Sequence, residues 1–294
     1  MRVAAALAIL VVVLAGQAMA TVYRVSAENK DLEDVLRKAK YGDSVLVYPG
    51  RYNVQSRVKP GVKLLAVAGP DSTVLWNQRW HALKLNDCDM ETLVEGFTFE
   101  CKGCNIAIAC TLGAPTIVGN VIKGAWDGIS LQSSNAFVKG NTVEGCNRGI
   151  VAASCNPELV ENTVMKNGEG IYLYSSSAIL ARCKIQSNGK GIFMQGYCYP
   201  TIGGMLSTAN DIIDNGYPLY NDGRRISGSL YTDEREVAVA THNYWGSLCP
   251  DKSKFRGIVV YYPWANAMHD SAYMDCPPDS APKAGAPTES GLKD

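Results

Sequence analysis

Apolar residues recur in this chain with two periods at once. Over short stretches they alternate with polar ones, as in Ile129-Ser130-Leu131, which is the period of a half-buried β-strand. Over longer stretches the pattern returns every 21 residues, in Gly128-Ile129, Gly149-Ile150, Gly170-Ile171 and Gly191-Ile192. Ile117, Val138, Leu159 and Leu180 keep the same step, and so do Ile122, Val143, Val164 and Ile185. Several registers sharing one period define a solenoid. The Leu-x-x-Leu-x-Leu signature of a leucine-rich repeat is missing, and Ile and Val dominate. The unit is therefore strand and short turn, with Gly and Asn (Gly170 among them) marking the turns. One stretch departs from this pattern. Asp31–Lys40 has the spacing of a short amphipathic helix, and residues 30–40 are expected to cap one end of the stack, whose edge would otherwise be bare.

In such a stack residue i lies about 4.8 Å from residue i+21. The Ile and Leu columns fill the interior. Asn120, Asn141 and Asn162 form a polar column in the same register. An inward amide both donates and accepts, so stacked copies bond one another and the turn backbone. Cys183 occupies the fourth place and does neither well, so the ladder is expected to end there. The residue before each repeated glycine reads Asp127, Arg148, Glu169, Lys190, alternating in sign. This predicts an acid–base ladder whose exposed pairs are each worth about 0.2–1 kcal/mol. Its larger effect is on register, because a slip of one coil stacks like charges. Lys123 above Glu144 repeats the device. As a catalytic pair, Asp127 and Glu169 would lie about 9.6 Å apart, with Arg148 between them keeping both ionised; that suits architecture better than general-acid chemistry.

If Ile171 and Leu173 point inward, Tyr172 and Tyr174 point outward. Phe193 and Gln195 follow one coil later, and Tyr197 and Tyr199 in the next turn. The earlier coils place Ser130, Gln132, Val151 and Ala153 at these positions, so one lateral face turns aromatic only here. Tyr172, Tyr174, Phe193, Tyr197 and Tyr199 are thus candidate ligand-binding residues for the apolar faces of sugar rings. The plainer alternative is packing between coils. Segment 210–236 breaks the period and is dense in charge. Asp222, Arg224, Arg225 and Asp233 are its candidate catalytic residues, for a lyase that needs a base and Ca²⁺ to neutralise a sugar acid; the plainer alternative is a solvated loop. Outside that lyase reading no cofactor and no metal is expected.

Two resemblances sharpen the fold. After the Asp31–Lys40 segment comes Gly42-Asp43-Ser44-Val45-Leu46-Val47-Tyr48-Pro49-Gly50-Arg51-Tyr52, and near the end come His242-Asn243-Tyr244-Trp245-Gly246 and Val260-Tyr261-Tyr262-Pro263-Trp264. With the 21-residue coils between them, these resemble the opening and closing segments of secreted right-handed parallel β-helix proteins of the pectin-lyase-like fold, built on PbH1-type repeats. The resemblance spans about residues 21–266 and implies an all-β solenoid of roughly eight to nine coils with a short N-terminal capping helix. His242, in the closing segment, is a candidate base; the plainer alternative is that it and Trp245 seal the last coil. The fold hosts lyases, hydrolases, esterases and adhesins, so it does not fix an activity. The hydrolase constellation of paired Asp with Gly-His-Gly and a later Arg-Ile-Lys is missing, and Arg225-Ile226-Ser227 is only a partial echo.

Composition places the protein outside the cytoplasm. Arg2, the apolar run Val3–Leu14 and Ala18-Met19-Ala20 make residues 1–20 a secretory leader, with an apolar run too short to span a bilayer. Residues 21–276 form the β-helix domain, and the Pro/Ala/Gly/Ser-rich residues 277–294 are expected to be disordered. The 28 basic and 28 acidic residues cancel and no basic block occurs, which argues against nucleic acid as a partner. A secreted or periplasmic monomer without membrane insertion is expected, with a polysaccharide or cell-surface glycan as partner. Ten cysteines in an exported chain permit disulfides. Cys88 and Cys110, about one coil apart, are one candidate pair, and Cys249–Cys276 would pin the C-terminal extension. Cys155 and Cys198 are too far apart to join. Cys101-Lys102-Gly103-Cys104 is a lone CxxC without a partner pair at zinc-ribbon spacing. Two functions fit these features. One is an exported β-helix that binds polysaccharide or serves as an envelope or surface scaffold without catalysis. The other is a polysaccharide lyase or related carbohydrate-active enzyme acting on uronate-containing glycans.

Overall fold

The computed structural model describes residues 20–28, 31–222 and 238–276. The leader, the C-terminal tail and the candidates Arg224, Arg225 and Asp233 lie outside the described residues.

The chain winds as a right-handed parallel β-helix. Each regular coil carries three strands, as in Thr116–Val118, Val121–Lys123 and Asp127–Gln132. Stacking produces three parallel sheets. The first has nine strands, from Val22–Val25 to Thr201–Ile202; the second has eight, from Gly50–Asn53 to Asp211–Ile213; the third has eight, from Ser56–Val58 to Tyr217–Asp222. The parallel pair Ala238–Val239 and Val259–Val260 carries the winding on, to about 11 turns. That exceeds the eight to nine coils expected, because the 21-residue period marks only the central turns. Near the N-terminus Ser44 pairs with Lys63 and Lys63 with Leu93, and near the other end Lys190 pairs with Tyr217. These offsets are irregular, so pattern matching undercounts them.

The core is a set of columns. Ile108, Ile129, Ile150, Ile171, Ile192 and Leu219 stack in register along the third sheet, and all are fully buried. The helix, Leu32–Lys38, starts at Asp31, whose carboxylate accepts from the Glu33 N–H; such a cap contributes about 1 kcal/mol. It buries Leu32, Val35 and Leu36 against the first coils. Lys59 reaches across from the next strand to donate to the Ala39 carbonyl at 3.0 Å, satisfying the helix C-terminus.

The repeated glycines have a steric cause. Gly128, Gly149, Gly170 and Gly191 lie inside strands of the third sheet and not in turns. A Cβ on each would come within 2.5–2.6 Å of a carbonyl oxygen in the next coil.

The asparagine ladder carries the polar side of the core. Asn141 Nδ2 donates to Asn162 Oδ1 at 3.1 Å, and Asn120 Nδ2 to Asn141 Oδ1 at the same distance. Each amide also donates to a carbonyl of the preceding coil, such as Ile117 for Asn141 at 2.9 Å. The ladder does not end at Cys183. The Cys183 backbone N–H donates to Asn210 Oδ1 at 2.8 Å, its thiol donates to the Leu159 carbonyl at 3.2 Å, and Asn210 then bonds Asn243. The thiol fills one rung as a donor and the Cys183 backbone N–H donates to the next amide, so the column resumes once the 21-residue step is lost. A second buried ladder, Asn167–Asn188–Asn215, runs along the next turn.

Cys249–Cys276 is a disulfide. The expected Cys88–Cys110 bond is not formed, and both thiols are free and buried. Strand register explains this: Cys110 stands beside Leu85, while Cys88 stands beside Gly113, three residues along. Cys155 and Cys198 are not joined to each other. The closing motif is structural: Asn243 extends the ladder, the buried Trp245 meets Phe255 edge-on at 4.9 Å, and Trp264 Nε1 donates to the Leu248 carbonyl at 3.0 Å.

Candidate functional site

The third sheet presents two outward columns side by side. One runs Ile106, Asp127, Arg148, Glu169, Lys190, Tyr217; the other runs Ala109, Ser130, Val151, Tyr172, Phe193, Tyr220. Charge therefore lies next to a surface that is small at one end and aromatic at the other. Between them is a cleft of about 690 Å³, lined among others by Trp126, Arg148, Glu169, Tyr172, Lys190, Phe193 and Tyr217.

The charged column resolves into two pairs, where the sequence predicts a continuous ladder. Arg148 forks onto Asp127 at 2.6 and 2.7 Å, and Lys190 meets Glu169 at 2.9 Å. Asp127 is almost wholly buried, and its hydrogen bonds push the Arg148 guanidinium further up from its ordinary range. The cations also lean on the rings beside them. Arg148 lies 5.2 Å from the Tyr172 ring centre and Lys190 3.6 Å from that of Phe193. These contacts fix where each cation sits. Lys123 and Glu144, on the second sheet, pair at 3.2 Å.

The aromatic column is continuous. Tyr172 and Phe193 are tilted with centres 5.3 Å apart, and Phe193 and Tyr220 meet edge-on at 5.2 Å. Tyr217 meets Tyr220 edge-on at 5.7 Å. Tyr172 donates its hydroxyl to Gln195 Oε1 at 2.6 Å, and burial pushes its phenol above the ordinary value, so it stays a donor. These rings are half-buried, whereas Trp126, at the turn before Asp127, is 60% exposed. It is the ring in the cleft that solvent reaches most freely.

Of the sequence candidates, Tyr172 and Phe193 line the cleft. Tyr174 lies in register between Ala153 and Gln195, outside it. Tyr197 and Tyr199 sit in the following turn, 58% and 65% exposed, and do not line it either. Asp222 ends the third sheet beside Gln195. Sequence reasoning missed Trp126, Tyr217 and Tyr220. Tyr217 and Tyr220 lie beyond the 21-residue period, and Trp126 stands where the other coils carry Asn147, Gly168 and Gly189. A tryptophan in a column of small and polar residues was the available signal.

No described helix is long and apolar enough to cross a membrane. Among solved structures the chain is similar to the A-module of the mannuronan C-5 epimerase AlgE6 of Azotobacter vinelandii, at 15% identity and a TM-score of 0.41, over 73% of this chain and 81% of that one. No curated protein matches it. The sequence matches the family described as "Periplasmic copper-binding protein (NosD)" over residues 41–248, well over half its length. The chain belongs to the NosD family, and its periplasmic placement agrees with the export expected from the leader.

Proposed function

We propose that this protein binds a polysaccharide in the aromatic cleft of the third sheet and holds it without chemical turnover. The cleft carries this reading: Trp126, Tyr172, Phe193 and Tyr217 offer apolar surface beside the polar groups of Asn147, Arg148 and Glu169. A sugar ring has the same division, with C–H faces and hydroxyl edges, and a preformed concave site with a few placed polar groups is what such a ligand needs. Trp126 is the stacking platform, and Tyr172 and Phe193 form the wall. Both cations in the cleft are matched by carboxylates, so selection there rests on shape and stacking, which favours a neutral stretch of glycan over a uronate polymer.

A uronate lyase needs a cation free to neutralise the sugar acid. Arg148 and Lys190, the cations that line the cleft, are both engaged. The family description names copper. Among the described residues no three His, Cys, Asp or Glu side chains converge to hold a metal ion, and the eight cysteines outside the disulfide are buried. The described residues therefore offer no copper site of three or more such ligands.

A glycan array tests the proposal, followed by incubation of any bound polymer and of uronate polymers with and without Ca²⁺. Binding with no change in chain length or ultraviolet absorbance is expected. A Ca²⁺-dependent rise in absorbance establishes the lyase instead, and no binding on a broad array leaves a scaffold.

A further inference from the structure

Of the eight cysteines outside the disulfide, seven fall into two kinds. Five donate to backbone carbonyls: Cys88 to Val58, Cys146 to Glu144, Cys155 to Leu131, Cys183 to Leu159 and Cys198 to Leu173. Each of these behaves as a small hydrophobic residue with a satisfied S–H, which is a structural role. Cys101 and Cys104 differ, because their thiols face each other. The interaction between the two thiols holds the Cys104 thiol below its ordinary value and, with burial, pushes Cys101 up.

The backbone around them is closed for a bond. The Cys104 N–H reaches the Cys101 carbonyl at 3.4 Å, and Gly103 sits at φ +92°, so residues 101–104 form a tight turn. Four-residue turns bring their ends within about 7 Å, inside the separation a disulfide spans. Lys102 and Gly103 are exposed at the turn's tip, while both sulfurs are buried beneath.

We propose that Cys101 and Cys104 form an intramolecular disulfide in the exported protein. The Cys104 thiolate attacks a disulfide of the exporting compartment, forming a mixed disulfide and releasing one thiol of the oxidant. The Cys101 thiolate then displaces the second. Two protons and two electrons leave the cysteine pair, and the oxidant is reduced to its dithiol. The pair is local in sequence, so the bond can form on the emerging chain before folding buries it. A family that works in the periplasm meets such oxidants on arrival. The bond fixes the turn leading into Ile106–Gly113, and it lies one coil from the Trp126 end of the cleft, because the Trp126 N–H donates to the Cys104 carbonyl at 3.0 Å.

The test uses full-length protein recovered from a bacterial periplasm, with thiols alkylated in denaturant at harvest and no reductant. Lys102 separates the two cysteines, so trypsin cuts between them and only a disulfide keeps peptides 85–102 and 103–123 joined; because these also carry Cys88 and Cys110, fragmentation of the joined peptides assigns which cysteines are bonded. The expected result is a joined 101/104 peptide, two hydrogens lighter than its parts, that separates on reduction, with the other six of the eight thiols alkylated. The Cys101→Ala, Cys104→Ala double variant should lose the joined peptide and keep the same six alkylated thiols. Separate, alkylated 101 and 104 peptides from the unreduced wild type overturn the proposal. So does either cysteine joined to a different partner. The wild-type map decides the matter even if the variant fails to fold.

Discussion

Replacing Asn141 with alanine removes one rung of the ladder, and its cost can be worked bond by bond. Asn141 Oδ1 accepts from the Asn120 backbone N–H at 2.9 Å and from Asn120 Nδ2 at 3.1 Å. Asn141 Nδ2 donates to the Ile117 and Lys139 carbonyls and to Asn162 Oδ1. After the substitution the Asn120 amide keeps Val94 and Val118, and Asn162 Oδ1 keeps the Asn141 backbone N–H. The group left stranded is the Asn120 backbone N–H, in a residue with no exposure. An orphaned buried donor costs about 1–3 kcal/mol, and the space left by the amide adds to this, so about 2–3 kcal/mol is expected. With a urea slope of about 3 kcal/mol/M the unfolding midpoint falls by ~1 M. The matched control is Asn156→Ala. Its Oδ1 accepts from the Ser177 N–H at 2.9 Å, but at an exposed site. Water replaces that bond, and the change should stay within about 0.5 kcal/mol. Circular dichroism in urea on both variants checks the reasoning, and equal midpoints would refute the ladder as a source of stability.

The same assay separates the two ion pairs. Arg148→Ala strands Asp127, whose side chain is 7% exposed, and should cost about 2–4 kcal/mol. Glu169→Gln relaxes a more open pair and should cost under about 1 kcal/mol; the reverse order sinks the two-pair description. His81 gives a pH effect. Burial, with help from Lys84, holds its imidazole below the ordinary 6.5, so the unfolded chain takes up the proton first as pH falls. Its contribution is whole above that value and is lost as pH drops toward the lowered one. Thermal midpoints between neutral and mildly acidic pH should therefore fall less in His81→Asn than in wild type, and parallel profiles would contradict this.

The fold was legible because one physical constraint repeats. Every central coil must place an apolar side chain above an apolar one and an amide above an amide, so Ile129, Ile150, Ile171 and Ile192, and Asn120, Asn141 and Asn162, print the period into the chain. The turn count was less legible. The irregular coils are held by the same columns, but Asn210 and Asn243 are reached through insertions of different length. The site was half legible. Tyr172 and Phe193 stood out against Ser130 and Val151, but Tyr217 and Tyr220 lay past the period, and Trp126 belongs to a turn whose neighbours carry nothing similar. The Cys88–Cys110 pairing failed because spacing of about one coil does not fix register, and the strand pairing places the two sulfurs three residues out of step.

The central claim is that the cleft beside Trp126 holds a glycan. Trp126 is 60% exposed, so Trp126→Ala removes the stacking platform with little effect on folding. Titration calorimetry of wild type and Trp126→Ala with the strongest array ligand tests it most directly. The account predicts at least about a tenfold loss of affinity in the variant, with an unchanged unfolding midpoint. Equal affinity in the two proteins would contradict it.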